Sequence, residues 1–231
     1  MSADPAASHM RDRAIVACEF DTRALGIQTF RIVDSRADWR SEVAGLPSPS
    51  LCDVKIDADE HELRLALEAE GFRHVVTQTT LHARPSAEQT HGVALASQLS
   101  LSEQDLDAHA RNFTLSRHAA DTRLPRSGSF KLMRRWVANS LGGRREVLHA
   151  GFNVLTFEER GPELVIDLLS VMEPRRGHGV RLVQAAREEA ERRSLNGVTV
   201  TTEASNIAAL RTYLRGGFLP VGASLAMHRL A

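Results

Sequence analysis

The chain has 231 residues, with 29 Lys+Arg against 29 Asp+Glu, so its formal net charge is zero. A neutral chain has no global field to draw in nucleic acid or an anionic membrane, so neither partner is expected and any basic function must be local. Two cysteines, Cys18 and Cys52, exclude a disulfide framework, and no apolar run reaches the ~20 residues of a membrane span, which predicts a cytoplasmic protein with one large domain or two small ones. Residues 1–10, closing on Ser8-His9-Met10, read as an appended or disordered start ahead of a native Met10. Strand patterns come next at 14–18, 29–33 and 54–56, with turn chemistry at 44–50 between them. Residues 59–71 predict a helix: Leu63, Ala66, Leu67 and Ala69 share one face and Gly71 is its stop. Residues 75–81 alternate as a strand, and 85–106 is polar enough for a linker.

The second half has a sharper pattern. A helix over 131–141 ends at Gly142-Gly143, followed by strand candidates at 145–152, 154–159 and 164–171. After a glycine loop come a helix from 179 to 193, a β-branched strand at 198–202, a helix at 207–215 stopped by Gly216-Gly217, and strands at 221–230. This is α/β order. Gly71-Phe72 and Gly217-Phe218 both close a helix and open a strand, which lays residues 67–81 on 213–227 and sets Leu67 opposite Tyr213. The N-terminal half therefore reads as a degenerate copy without the glycine loop. The expected division is 11–105 for that subdomain and 106–231 for the chemistry.

The loop Val171-Met172-Glu173-Pro174-Arg175-Arg176-Gly177-His178-Gly179-Val180 lies between a buried strand and a helix start. A helix N-terminus presents unpaired N–H groups, and glycines let backbone approach phosphate oxygens closely. Arg175 and Arg176 add positive charge, so residues 175–180 form a candidate diphosphate cradle. Downstream, Asn206 is a good N-cap for the 207–215 helix. Tyr213, the chain's one tyrosine, lies two turns along the same face.

The loop resembles the acetyl-CoA signature of the GNAT superfamily, Arg/Gln-x-x-Gly-x-Gly/Ala. Two registers fit: Arg176 leads with Arg181 in the sixth position, or Gly177 and Gly179 are the paired glycines and Pro174 leads. Residues 201–218 resemble the same superfamily's Asn-Ala…Tyr…Gly-Phe element. Over nearly the whole chain, Phe20-Asp21-Thr22-Arg23-Ala24-Leu25-Gly26, Ser116-Arg117-His118, Asp121-x-Arg123-Leu124-Pro125 and Trp136-Val137-Ala138-Asn139-Ser140 are similar to the sugar-nucleotide N-acetyltransferases typified by TDP-fucosamine acetyltransferase.

The resemblance implies a mixed, mostly antiparallel central sheet, splayed where the acyl-pantetheine inserts and flanked by helices (α/β, or α+β). It implies acetyl transfer from acetyl-CoA to a small-molecule amine, probed first as an amino sugar nucleotide, by direct attack in a ternary complex. Tyr213 would protonate the departing thiolate and Asn206 would contact the pantetheine arm. Backbone groups near Leu169 and Val171 would stabilise charge on the thioester oxygen. Asp167, which interrupts an apolar strand, is the first choice of base, ahead of Glu163 and Glu203. Arg117, Arg123 and Trp136 are expected on the acceptor side, the two arginines for an acidic group. The ten histidines show no ligand spacing, so no metal is expected, and the chain reads as a monomer or homodimer. Other amine acceptors, a carrier-protein donor, and a non-catalytic acyl-CoA-binding module are the alternatives.

Overall fold

The computed structural model describes residues 13–231; the expected appended stretch 1–10 lies outside the described residues. The N-terminal half contributes β1 (Ile15–Ala17), α1 (Glu19–Leu25), β2 (Gln28–Ile32), α2 (Trp39–Ala44), β3 (Ser50–Asp57), α3 (His61–Ala69) and β4 (Arg73–Ala83). Then come β5 (Ala94–Ala96), α4 (Glu103–Arg111), α5 (Arg117–Ala120) and α6 (Arg126–Asn139), which ends in a π-type turn at Ser140–Arg144. The last part holds β6 (Glu146–Ala150), β7 (Asn153–Arg160), β8 (Glu163–Ser170), α7 (His178–Arg192), β9 (Gly197–Glu203), α8 (Ile207–Arg215) and β10 (Leu219–Leu230).

All ten strands of the described residues belong to one open sheet, ordered β1-β2-β3-β10-β4-β9-β8-β7-β6-β5. Only β2–β3 and β8–β9 run parallel. The mixed, mostly antiparallel sheet is as expected. The sequence foretold no strand order: β4 sits beside β9, and β10 returns beside β3. Each half lends a strand to the other, so the sheet has no break at residue 105.

The exchange is regular. The alignment that lays Gly71-Phe72 on Gly217-Phe218 also turns the pair Gln78↔Glu203 into Ser224↔Asp57, and Leu219↔His82 into Arg73↔His228; all four pairs are present. Even the extra residues at the two register shifts, Val75 and Val221, correspond.

Two helical layers cover the sheet. On one face, α7 buries Leu182, Val183, Ala186 and Ala190 against Leu81, Leu164, Ile166, Val198 and Val200. On the same face the N-terminal half packs Leu67, Phe72 and Trp39 against Val54, Ile56 and Met227. The opposite face is covered by α6, through Val137 and Leu141 against Val147 and Leu168. Five elements escaped the sequence reading: α2 and α5 are single short helical stretches of six and four residues. α1 and α4 lie in polar stretches whose packing partners are remote in sequence, and β5 lies inside the expected linker. The helix expected at 131–141 begins earlier, at Arg126 after Pro125.

Candidate active site

β8 and β9 pair from Glu163↔Gly197 to Ile166↔Val200 and no further, although both strands continue. The cause lies in β8. On its β7 side the register shifts between Phe157↔Ile166 and Thr156↔Leu168, which leaves Asp167 as the extra residue of a bulge. A bulge bends its strand and redirects the residues beyond it. Before it, Leu164 and Ile166 face α7; after it, Leu169 does so while Leu168 turns to α6. The Asp167 carboxylate pins this bulge to α6. It accepts from Ser140 Oγ at 2.6 Å, Trp136 Nε1 at 3.4 Å and Thr156 Oγ1 at 3.5 Å.

Where the strands part, residues from both faces of the sheet line one cleft of about 590 Å³. Ile166, Leu169, Val200 and Tyr213 come from the α7–α8 side; Val165, Asp167, Thr201 and Glu203 come from the other. The slit is therefore a passage through the sheet.

The loop before α7 is built as a cradle. Asn153, buried at the start of β7, accepts from Met172 N at 2.9 Å and Glu173 N at 3.2 Å and fixes the loop's start. Gly177 caps α7 at φ 78°, and Arg175 also takes positive φ, at 66°. The first helical bond is Arg181 N to Gly177 O, so the N–H groups of His178, Gly179 and Val180 are left for a ligand. Arg175 and Arg176 are exposed at the rim. His178 is held between Glu173 at 3.0 Å and Arg181 at 2.7 Å. Gly179 serves packing instead, because a Cβ there would lie 2.9 Å from Thr212 Cγ2 and 3.3 Å from Val171 Cγ2. It lets α7 lie close against α8. The two glycines thus divide the work, one for backbone conformation and one for packing.

Asn206 is the N-cap of α8, its Oδ1 accepting from Ala209 N at 3.1 Å, and it lines the cleft. The cap uses the oxygen and leaves the amide NH2 available. Tyr213 is buried in the core against Phe218, yet it also lines the cleft. Its hydroxyl makes no hydrogen bond to another side chain or backbone group among the described residues. Burial, with the charge of Glu203, pushes its pKa well above the usual phenol value.

The other end of the cleft is walled by the N-terminal half, which supplies Phe20, Asp21, Arg31, Lys55 and Gln78. Arg117 and Trp136 are there too. Arg123 is not: it forks onto Asp121 at 2.8 and 2.9 Å, donates to the His228 carbonyl, and lies outside this cleft. The short Asp121-x-Arg123 spacing lets the two residues satisfy each other. Glu163 also falls away, beside Thr199 and His82 where β8 and β9 are paired. Sequence reasoning missed Arg31 and Lys55; the available signal was a charged residue interrupting a short apolar strand at each place.

Behind this wall Asp53 is almost fully buried. Burial alone pushes its pKa up, but hydrogen bonds from Arg31 and the nearby charge of Arg117 bring it down to about 2. His118 and His228 approach it closely enough for the three to offer ligand atoms within 4.8 Å of one another. The fold thus assembles a ligand-like grouping that the spacing of the histidines did not foretell. Both Asp53 oxygens already accept from Arg31 and Arg117, so two guanidinium groups stand where a cation's charge would fall. Burial, then the charge of Arg117, pushes the His118 pKa down to about 2, so that imidazole is neutral.

Residues 116–218 match the sequence profile of the acetyltransferase (GNAT) family. That span carries a GNAT acetyltransferase domain. The domain's slit, cradle and Tyr213 all fall inside the matched span. Among curated proteins, the chain is 30% identical over 115 residues to the spore coat polysaccharide biosynthesis protein SpsD of Bacillus subtilis, a match that covers 46% of this chain and 40% of that protein. Among solved structures, a GCN5-related N-acetyltransferase from Sphaerobacter thermophilus shares the fold at TM-score 0.57 and 15% identity, over 94% of this chain and 76% of the other. A GCN5-related N-acetyltransferase from Kribbella flavida aligns at TM-score 0.51 and 12% identity, over 87% and 81%. A tandem GNAT protein of the clavulanic acid biosynthesis pathway aligns at TM-score 0.51 and 12% identity, over 89% and 76%. No helix among the described residues is long and apolar enough to cross a membrane.

Proposed function

We propose that this protein transfers an acetyl group from acetyl-CoA to the amine of a small metabolite, by direct attack in a ternary complex. The observation that carries this reading is the slit between β8 and β9, with the α7 cradle and Tyr213 on one side and a charged pocket on the other. The cradle fits a diphosphate: three free N–H groups, a helix N-terminus and two arginines. The Asn206 amide and the unpaired edge of β8 past Ile166 suit the amide-bearing arm of CoA. Bound there, acetyl-CoA would supply an acyl group activated as its thioester.

The chain's own groups divide the remaining work. Backbone N–H groups on the unpaired part of β8 meet negative charge as it builds on the thioester oxygen. Tyr213 holds a proton for the departing thiolate, and its raised pKa keeps that proton in place across neutral pH. Glu203, on the acceptor side of the slit, receives the proton lost by the amine. Among the described residues its carboxylate is met only by a long 3.4 Å bond from Gln78, whereas Asp167 is engaged by three donors. We therefore assign Asp167 a positioning role. An amino sugar, nucleotide-linked in the first instance, is the acceptor to try. The sequence resemblance and the similarity to a polysaccharide-biosynthesis protein both support it.

Calorimetric titration with acetyl-CoA, followed by an acetylation assay on amino-sugar nucleotides, tests the reading. Micromolar binding and acceptor-dependent release of CoA are expected. An absence of acetyl-CoA binding would sink it.

A further inference from the structure

The acceptor end of the cleft gathers more positive charge than its neighbours balance. Arg31, Asp53 and Lys55 share one face of the sheet, since Arg31 pairs with Asp53 and Lys55 is two residues along β3. Arg31 spans both Asp53 oxygens at 2.7 and 2.9 Å, and Arg117 reaches the same carboxylate at 3.1 Å. One carboxylate thus serves two guanidinium groups. Asp21 adds little, lying 3.4 Å from Arg31 with its pKa raised by burial. Lys55 has no carboxylate within ion-pair distance among the described residues. Burial and the charge of Arg117 both disfavour its ammonium form. Like charges brought together on a pocket wall are relieved by an anion from outside.

We propose that Arg31, Lys55 and Arg117 form a subsite for a phosphate or diphosphate group of the acceptor, with Lys55 as the arm that closes on it. The assignment rests on the acyl-transfer reading only in calling this ligand the acceptor. The subsite itself is a matter of binding. A lysine on a flexible stem suits a phosphate as a mobile point charge, while the two arginines, fixed by Asp53, supply a preset positive wall. The sheet also sets the acceptor's length. From β9, which carries Glu203, to β3, which carries Lys55, there are three inter-strand steps, roughly 14 Å. With the lysine arm reaching inward, this spacing fits an amine and a phosphate on opposite sides of one sugar-sized ring. It exceeds the reach of a simple amino acid.

The test titrates inorganic pyrophosphate into the protein saturated with CoA, whose own diphosphate occupies the α7 cradle. One pyrophosphate site is expected, weakened at least ~10-fold in Lys55→Ala and restored in Lys55→Arg. Lys55 lines the open cleft and belongs to none of the packed clusters, so both variants should melt with the wild type. No pyrophosphate binding in the CoA-saturated wild type, or undiminished binding in Lys55→Ala, overturns the subsite and leaves the acyl-transfer reading standing. If CoA itself does not bind, the acyl-transfer reading fails, and the same wild-type and Lys55→Ala comparison without CoA still decides the subsite.

Discussion

Tyr213 combines two properties that seldom coincide, burial in a hydrophobic core and a hydroxyl that opens on a cleft. Removing that hydroxyl should touch chemistry alone. Tyr213→Phe is expected to lower kcat by ~100-fold or more while the acetyl-CoA Kd, read by calorimetry, holds. Because burial raises the phenol's pKa, its ionisation should produce no alkaline loss of rate below pH 10. A second residue-scale effect belongs to Asp53. Its folded pKa is depressed to about 2, so its contribution to stability is present above the ordinary carboxylate range and is lost as pH falls from about 4 towards 2. Asp53→Asn leaves two half-buried guanidinium groups sharing a neutral partner. It should cost about 3 kcal/mol in chemical denaturation near neutral pH, and the acid-range slope should flatten. The sequence made Tyr213 and Asn206 legible because their meaning is local: a cap and an aromatic two turns apart on one helix. Asp53, Arg31 and Lys55 were illegible because their company is assembled across a strand exchange and a distant helix.

Among the elements, the strand–loop–helix unit around α7 was read nearly as it stands, since glycines and a buried strand leave little choice there. What the sequence withheld was the division of labour between Gly177 and Gly179. Gly179→Ala should cost about 1–3 kcal/mol through its clash with Thr212. Thr212→Ser removes the offending methyl and should recover much of that loss, as thermal melts of the single and double variants would show. Gly177→Ala has open space but the wrong sign of φ, so no such partner can rescue it. The bulge at Asp167 was also hidden: an acidic residue in an apolar strand reads as chemistry, and here its hydrogen bonds make it the pin that parts β8 from β9. Asp167→Asn keeps two of those acceptor contacts and should reduce kcat less than Glu203→Gln, a ranking that steady-state kinetics on the two variants would check.

For the whole molecule, the α/β order and the likeness between the halves were visible in the Gly-Phe pairs, but the exchange of β4 and β10 was not. Periodicity reports which face of a strand is buried and says nothing of which strand lies beside it. We take the matching registers as the mark of a duplicated unit whose N-terminal copy gave up its cradle and became the acceptor wall. The exchange predicts that residues 91–231 alone, lacking β4, will not bind acetyl-CoA. Co-expression with residues 1–90 should restore a complex that binds it, as pull-down and calorimetry would reveal.

The exchange also sets a timetable during synthesis. The N-terminal core contains Met227, so its last strand is among the last parts of the sheet to leave the ribosome. At typical translation speeds, β3 and β4 wait on the order of ten seconds for β10. Through that interval both carry unpaired edges, which makes the nascent chain a ready client for holding chaperones and ties the folding of its first half to the completion of its second.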